Sequence, residues 1–314
     1  MADLVRFENV TKRYGSRTVI DSLNFSVGAG SVTGLLGPNG AGKSTAMRVL
    51  LGIARANGGR AELFGTAPGQ AEYRDALHRT GAHVEEPALY ANASARANLA
   101  IHAVGLGIAR KDPRIDRMLD QVGLSSRGGD KAKKYSLGMR QRLGLAIALV
   151  NEPELVILDE PTNGLDPAGV VEIRELIRSL PGGGTTVLVS SHVLAEVQKT
   201  ADHLVIIDQG KLVMDGTIDD AIAGAATGGH LLRVSEGDRT TATGVLQQLG
   251  FTVAIEPSGL MLITGEIRGG SQISRALAES GIHLEELRPQ EVDLEAAFLN
   301  MTGGASGDAA ASGK

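Results

Sequence analysis

Hydrophobic and polar residues alternate along two segments near the start of the chain, LVRFENV at 4–10 and TVIDSLNFSV at 18–27. A period of two residues predicts β-strands with one buried face. A third alternating segment, SVTGLLG at 31–37, precedes TAMRVLLGI at 45–53, whose apolar residues recur at helical spacing. The pattern therefore predicts three strands, then a short loop and a helix. The glycine-rich segment at 57–68 predicts a β-hairpin.

From about residue 92 to residue 150 the apolar period becomes helical. After this block, the uninterrupted apolar run Leu155–Leu158 is typical of a parallel strand that is covered on both faces. Further strands are predicted at 185–192 and 203–217. A helix is predicted at 170–180, between the run Leu155–Leu158 and the strand at 185–192. This order predicts an α/β core with a helical subdomain inserted between its strands.

The composition changes at 221–229, where AIAGAATGG predicts a linker after a first domain at 1–220. Beyond the linker, the periodicity follows the order β-α-β-β-α-β-α over residues 230–302. This order predicts a small α+β domain of the ferredoxin-like type. The last residues, 303–314, are small and polar, as in a disordered tail.

The composition narrows the possible functions. The chain has 314 residues, no cysteine and a net charge of −5. A chain without cysteine forms neither disulfides nor thiolate metal sites. The acidic balance argues against nonspecific nucleic-acid binding, so no nucleic-acid partner is expected. No window approaches the run of about 18 apolar residues that a membrane span requires, and the N-terminus lacks the pattern of a signal peptide.

The strongest chemical signal is GPNGAGKST, which fits the phosphate-binding pattern G-x-x-x-x-G-K-[ST] between a predicted strand and a predicted helix. In such a loop, backbone N–H groups and the helix N-terminus face the phosphates. Lys43 would reach the β- and γ-phosphates, and the Ser44 hydroxyl would coordinate Mg²⁺. The candidate nucleotide-binding residues are Gly37, Pro38, Asn39, Gly40, Ala41, Gly42, Lys43, Ser44 and Thr45. The sequence therefore predicts a site for a nucleoside triphosphate with Mg²⁺.

In the predicted strand at 154–162, two carboxylates directly follow the apolar run Leu155–Leu158, at the end where open α/β sheets bind ligands. Asp159 is placed to hold Mg²⁺, directly or through water, together with Ser44. Glu160 is a candidate to orient the water that attacks the γ-phosphate or to accept its proton.

Two further residues have both a functional and an ordinary structural interpretation. His192 ends a predicted buried strand beside this site, where it could polarise the γ-phosphate, although a lone histidine is more often structural. Tyr14 lies in a turn ahead of the phosphate loop, where it could stack on a nucleotide base. An ordinary turn tyrosine fits that position equally well.

The order of these features resembles the ATP-binding cassette of ABC transporters over about residues 4–217. YSLGMRQR is similar to the family's signature sequence, with Ser136 and Gly138 in place, and LVILDEP is similar to its Walker B strand with the catalytic glutamate. NGLDP, which includes Asp166, is similar to the D-loop, and His192 falls at the family's switch histidine. Tyr14 occupies the family's aromatic position ahead of the loop.

The resemblance implies an α/β P-loop NTPase fold with a RecA-like core, an antiparallel β subdomain and a helical subdomain, followed here by the small α+β domain. Three positions depart from the family pattern. Glu85 replaces the usual glutamine, and its carboxylate could still ligate Mg²⁺ with changed affinity. Leu137 and Met139 replace the usual Gly and Gln of the signature, and Asn163 replaces the usual serine of the D-loop.

EEPALY, the SLGMRQR variant and the ending DLEAAFLNMT resemble the drug, antibiotic and lantibiotic exporters. In that subgroup a separate ATPase energises an integral membrane permease. The resemblance implies a peripheral protein at the cytoplasmic face of the membrane that contacts the permease near 87–110. It also implies a head-to-tail homodimer, because Ser136 and Gly138 of one copy would contact the γ-phosphate held by Lys43 of the other.

Two alternatives remain open at the level of the sequence. An ABC-type ATPase that acts on the ribosome or on DNA is disfavoured, because such members carry paired cassettes or long coiled-coil insertions that are absent here. An importer ATPase fits the cassette equally well, and only the subgroup features oppose it. The second domain could add dimer surface and stability or could regulate the cassette.

Overall fold

The computed structural model describes residues 3–84, 89–218, 220, 229–256, 258–265 and 270–289. These residues fall into two compact units, of which the first ends at Ile218 and the second lies within 219–300. The strands described in the first unit are β1 (Asp3–Tyr14), β2 (Arg17–Gly28), β3 (Val32–Leu36), β4 (Gly58–Leu63), β5 (Thr80–His83), β6 (Leu155–Asp159), β7 (Thr186–Ser191), β8 (His203–Asp208) and β9 (Lys211–Thr217). Its helices are α1 (Lys43–Leu50), α2 (Tyr73–His78), α3 (Ala95–Gly105), α4 (Pro113–Gln121), α5 (Leu137–Leu149), α6 (Pro167–Ser179) and α7 (Leu194–Gln198), with 3-10 turns at Ser125–Arg127, Ala132–Lys134 and Pro181–Gly183.

A six-stranded sheet with the order β5-β6-β7-β3-β8-β9 forms the core of the first unit. Its strands pair in parallel except for β9, which pairs with β8 in the antiparallel direction. The run Leu155–Leu158 of β6 is buried throughout, as its uninterrupted apolar pattern predicts. β3 is also buried at all of its positions, so the single buried face that its alternating pattern predicts is wrong for this central strand. Because parallel strands end at the same edge, the carboxyl ends of β3, β6 and β7 lie together.

A separate antiparallel sheet has the order β2-β1-β4. Phe7 of β1 and Phe25 of β2 stack with their ring centroids 4.4 Å apart. β4 pairs with β1, and within 57–68 the predicted hairpin is reduced to an isolated antiparallel bridge between Leu63 and Thr66. Gly59 permits this close pairing, because it has φ 72° and a Cβ there would lie 2.1 Å from the carbonyl oxygen of Asn9.

The helices α3, α4 and α5 pack against one another as the predicted helical subdomain. Each begins at a capping side chain, Ser94, Asp112 or Ser136, which accepts a backbone N–H of its helix's first turn. Such caps satisfy N–H groups that have no partner within the helix. The prediction of an α/β cassette with an antiparallel β subdomain and a helical subdomain is confirmed.

The second unit contains the strands β10 (His230–Val234), β11 (Thr252–Ile255), β12 (Met261–Thr264) and β13 (Leu284–Pro289), with the helices α8 (Arg239–Gln248) and α9 (Gly270–Glu279) and a 3-10 turn at Glu236–Asp238. All strand pairs are antiparallel, in the order β11-β12-β10-β13. Together with the element order β-α-β-β-α-β, this is a ferredoxin-like arrangement. The predicted last helix, the predicted tail at 303–314 and most of the predicted linker lie outside the described residues.

Across the described part of the chain, no helix combines the length and the apolar character that crossing a membrane requires.

Replacement of Gly144 by alanine tests the packing between α5 and β5. A Cβ on Gly144 would lie 2.7 Å from Cε1 of the buried His83 ring. Alanine favours the helix by up to about 1 kcal/mol, but overpacking a core costs about 1–3 kcal/mol. We therefore expect Gly144→Ala to lower Tm in thermal unfolding followed by circular dichroism.

The matched control is Gly105→Ala at the end of α3, where an added Cβ meets no atom within 4 Å. Its Tm should equal or slightly exceed that of the wild type. A Gly144→Ala variant with the stability of Gly105→Ala would contradict the packing described here.

Candidate functional site

The loop at 37–42, between β3 and α1, lies at the carboxyl edge of the parallel strands. Its backbone bends at Gly40 and Gly42, whose φ values of 84° and 110° lie in the left-handed region that favours glycine. A Cβ on Gly37 would lie 2.2 Å from the carbonyl oxygen of Ile207 in β8. The loop conformation therefore requires glycine both for its bends and for its close approach to the neighbouring strand.

The loop has an exposed tip and a buried base. Asn39 and Gly40 are exposed, whereas Ala41 and Thr45 are buried. Ser44 is half-buried in the first turn of α1, where backbone N–H groups have no carbonyl partner within the helix. The segment thus has the strand–loop–helix context that phosphate binding requires.

Lys43 is buried at the start of α1, with only 5% of its surface exposed. Its Nζ donates to the carbonyl oxygen of Gly37 at 2.7 Å and to that of Pro38 at 3.2 Å. The same nitrogen lies 3.3 Å from Oε1 of Glu160. Two carbonyl dipoles and one carboxylate therefore balance an ammonium group whose burial alone would be costly.

Glu160 connects the loop to the end of β7. The residue directly follows β6, and its Oε2 lies 2.8 Å from Nδ1 of His192, which follows β7. Lys43, Glu160 and His192 come from three different elements, and the structure brings them into one chain of contacts. Glu160 has φ 47°, an uncommon backbone conformation for a residue with a side chain.

Asp159 is held by a residue that the sequence analysis did not single out. Ser190 of β7 donates its hydroxyl hydrogen to Oδ1 of Asp159 at 2.6 Å. The same hydroxyl oxygen accepts the backbone N–H of Glu160 at 2.9 Å. The parallel pairing of β6 and β7 places Asp159 opposite Ser190. The sequence signal was the pair of serines, Ser190 and Ser191, directly before His192.

The signature segment and the D-loop segment are neighbours. Ser136 caps α5 and Asp166 caps α6, each by accepting a backbone N–H of its own helix. A Cβ on Gly138 would lie 3.3 Å from Cδ2 of Leu165, next to Asp166. In the described residues, the side-chain hydrogen bonds of Ser136 and Asp166 are to these first turns and not to Lys43 or Glu160.

Tyr14 lies at the end of β1, with 48% of its surface exposed. Nζ of Lys12 lies 4.5 Å from the centroid of its ring, within the range of a cation–π contact. One face of the ring is therefore occupied by an ammonium group. Glu85, the predicted further Mg²⁺ ligand, lies outside the described residues.

His83 is a buried polar residue that the sequence analysis missed. It ends β5, and its Nε2 lies 2.7 Å from Oε1 of Gln141 in α5. Burial lowers the pKa of His83, and the hydrogen bond with Gln141 and the charge of Asp159 oppose this shift only in part. A neutral imidazole thus connects the signature helix to the strand beside β6.

The whole chain is similar to ATP-binding proteins of known transport systems. A family model described as ABC transporter matches residues 20–163. The chain is 37% identical over 308 residues to the bacitracin transport ATP-binding protein of Bacillus licheniformis, covering 97% of this chain and 99% of that protein. It is also 37% identical over 310 residues to a daunorubicin resistance ATP-binding protein of Streptomyces coeruleorubidus, covering 96% and 97%.

A solved structure described as the ATP-binding subunit of an ABC transporter has a similar fold. It matches with a TM-score of 0.64 at 27% identity, and the match covers 70% of this chain and 92% of that one. These similarities extend over the cassette that contains the loop, the acidic pair and His192.

Proposed function

The chain belongs to the family of ABC transporter ATP-binding proteins, and from this membership we propose that it energises export through a separate membrane subunit. The observation that supports this most directly is the chain of contacts Lys43–Glu160–His192 at the carboxyl edge of the sheet. It places a cation, a carboxylate and an imidazole beside a phosphate-binding loop. This is the set of groups that hydrolysis of a bound triphosphate uses.

We assign the roles of these residues from their positions. The N–H groups of 37–45 and the ammonium of Lys43 would hold the β- and γ-phosphates of ATP. Glu160 would orient the attacking water or accept its proton, and His192 would polarise the γ-phosphate. Because Lys43 already contacts Glu160, a bound phosphate would compete for the same ammonium and leave the carboxylate available to water. Tyr14 remains the candidate for stacking on the base.

Mg²⁺ fits the oxygen ligands at this edge of the sheet. Among the described residues, no cluster of three or more His, Cys, Asp or Glu side chains would form a dedicated metal cage. Mg²⁺ commonly binds instead through one or two protein oxygens, substrate phosphates and water. The Ser44 hydroxyl and the Asp159 carboxylate are hard oxygen donors of this kind. We assign both as ligands, with Glu85 as a further candidate, and the ion would neutralise charge on the phosphates.

A functional unit would contain two copies in head-to-tail arrangement. The signature segment around Ser136 and Gly138 packs beside the D-loop segment of the same chain. In the described residues, neither segment contacts Lys43 or Glu160 through a side-chain hydrogen bond. The two segments are therefore available to a second copy, whose bound ATP they would close from the opposite side.

The helical subdomain offers a contact surface to the permease. Three large apolar residues remain exposed here: Tyr90, which precedes α3, and Ile101 and Val104, which lie one helical turn apart within it. They lie within the region near 87–110 that the sequence analysis assigns to the membrane partner. A chain bound in this way would lie peripherally at the cytoplasmic face of the membrane.

The substrate class follows from the relatives and not from the cassette. Those relatives are named for transport of bacitracin, for daunorubicin resistance and for lantibiotic transport. We therefore propose a drug, an antibiotic, a peptide or a lipid-like molecule as the exported substrate. The membrane subunit would contact it, because the residues assigned here all serve ATP.

The substitution Lys43→Ala tests the phosphate site. Removing the ammonium leaves the phosphate charge without its counter-ion, so we expect ATP hydrolysis to fall by at least about a hundredfold. A phosphate-release assay on the purified chain measures this. Lys211→Ala, which removes an exposed lysine from β9, should retain wild-type turnover. Near-normal hydrolysis by Lys43→Ala would contradict the assigned site.

The substitution Glu160→Gln tests both the catalytic role and the two-copy unit. The amide cannot accept a proton, so ATP should stay bound and hold two copies together. Gel filtration with light scattering should show a dimer with ATP and a monomer without it. Glu154→Gln makes the same chemical change just ahead of β6, on an exposed side chain, and should hydrolyse ATP normally. If Glu160→Gln is only monomeric with ATP, the two-copy unit is wrong.

The substitution Val104→Glu tests the proposed permease surface. A charge among these exposed apolar residues should abolish co-purification with the proposed membrane subunit, while ATP hydrolysis by the isolated chain stays unchanged. Ile53→Glu is the control, since Ile53 is also a β-branched apolar residue and is 68% exposed elsewhere. Loss of binding in both variants, or in neither, would contradict the assigned surface.

A further inference from the structure

A single buried hydroxyl joins the two carboxylate residues of the site. Ser190 is 0% exposed, and its oxygen lies 2.6 Å from Oδ1 of Asp159 and 2.9 Å from the backbone nitrogen of Glu160. A serine hydroxyl has one hydrogen to donate and lone pairs to accept. Here it donates to the carboxylate and accepts from the N–H, so both capacities are used at once.

The backbone of Glu160, which also contacts Ser190, has an unfavourable conformation that its surroundings must stabilise. Glu160 has φ 47°, and a residue with a Cβ keeps this conformation only where its surroundings fix it. The hydrogen bond from its N–H to Ser190 anchors that bend to the neighbouring strand β7. From this bend the side chain reaches Nζ of Lys43 at 3.3 Å and Nδ1 of His192 at 2.8 Å.

Asp159, which the hydroxyl of Ser190 contacts, is a proposed Mg²⁺ ligand. The hydrogen bond from Ser190 occupies Oδ1 of Asp159 and thereby fixes the orientation of the carboxylate. Residues that orient metal ligands in this way tune both the position of the ligand and its affinity for the metal. The opposite register positions of Asp159 and Ser190 make the contact a direct consequence of strand pairing.

We propose that Ser190 is a positioning residue for ATP hydrolysis, through which one hydroxyl sets both the Asp159 carboxylate toward Mg²⁺ and the backbone from which Glu160 reaches the γ-phosphate. This role rests on the proposed functions of Asp159 and Glu160. It differs from them because Ser190 itself would touch neither ATP nor Mg²⁺.

The chain provides a matched residue with a purely structural hydroxyl. Thr186 begins the same strand, is 1% exposed, and accepts the backbone N–H of Gly30 at 2.9 Å. It lies four positions before Ser190 along the strand, a distance of about 13 Å. Thr186→Val and Ser190→Ala therefore each remove a buried hydroxyl that accepts a backbone N–H. Only Ser190→Ala removes one that also holds a carboxylate of the site.

The experiment compares Ser190→Ala, Ser190→Cys, Ser190→Thr and Thr186→Val by three measurements on the full chain. The first is kcat and KM for MgATP. The second is the affinity for Mn²⁺, followed by electron paramagnetic resonance in the presence of a non-hydrolysable ATP analogue. The third is Tm. Ser190→Cys preserves the size of the side chain with a weaker donor and acceptor, so it carries the test if the alanine variant fails to fold.

We expect Ser190→Ala to lower kcat by about tenfold or more, because small displacements of catalytic groups cost large factors in rate. The affinity for Mn²⁺ should fall by about tenfold or more. KM should change less than kcat, because the loop at 37–45 is not altered. For Ser190→Cys, both kcat and Mn²⁺ affinity should lie between those of the wild type and those of Ser190→Ala. Ser190→Thr keeps the hydroxyl and adds a methyl group beside a cavity of about 20 Å³ that Ser190 lines. It should therefore retain both kcat and Mn²⁺ affinity. Thr186→Val should lower Tm alone.

Three results would overturn the proposal. The first is a folded Ser190→Ala or Ser190→Cys variant whose kcat and Mn²⁺ affinity equal those of Thr186→Val. The second is a Ser190→Thr variant with normal Tm that is as impaired as Ser190→Ala. The third is a set of Ser190 variants in which the losses of kcat and of Mn²⁺ affinity are fully accounted for by the loss of Tm. The proposed function is tested separately: if Lys43→Ala and Glu160→Gln are inactive while Ser190→Ala is normal, only the role of Ser190 fails.

Discussion

The buried ammonium of Lys43 is the constraint on which the rest of the site depends. A charge on a residue with only 5% of its surface exposed must be balanced by dipoles and opposite charge. The carbonyl oxygens of Gly37 and Pro38 supply part of that balance, which requires the bent glycine loop. Glu160 supplies the rest at 3.3 Å, which requires the end of β6 to lie close to the loop. The order of strands in the sheet and the sequence of the loop therefore serve one electrostatic requirement.

The sequence was sufficient for features that depend on neighbouring residues. The loop at 37–45 and the buried strand before Asp159 follow from local patterns of glycine and apolar residues. These patterns constrain the backbone within one turn or one strand, so a single segment contains enough information. The same holds for the β-α-β-β-α-β order of the second unit.

The features that the sequence analysis missed all depend on pairing between distant segments. Nothing near 57–68 reveals that β4 pairs with β1, since β-propensity is the same for either partner. Ser190 acquires its role only because β7 pairs with β6 in one register. His83 is a lone histidine in sequence, and burial beside α5 is what keeps it neutral. Such roles arise from strand order, which local periodicity does not encode.

The caps of α5 and α6 also bear on how two copies would meet. The oxygen of Ser136 accepts the N–H of Met139, and this contact leaves its hydroxyl hydrogen free to donate. Capping therefore orients the side chain without using the group that would contact a γ-phosphate. The helix N-terminus beneath it adds partial positive charge in the same direction. In the proposed two-copy unit, a residue that stabilises its own helix would thereby be preorganised for the ATP of the other copy, so folding and binding would impose compatible demands on one serine.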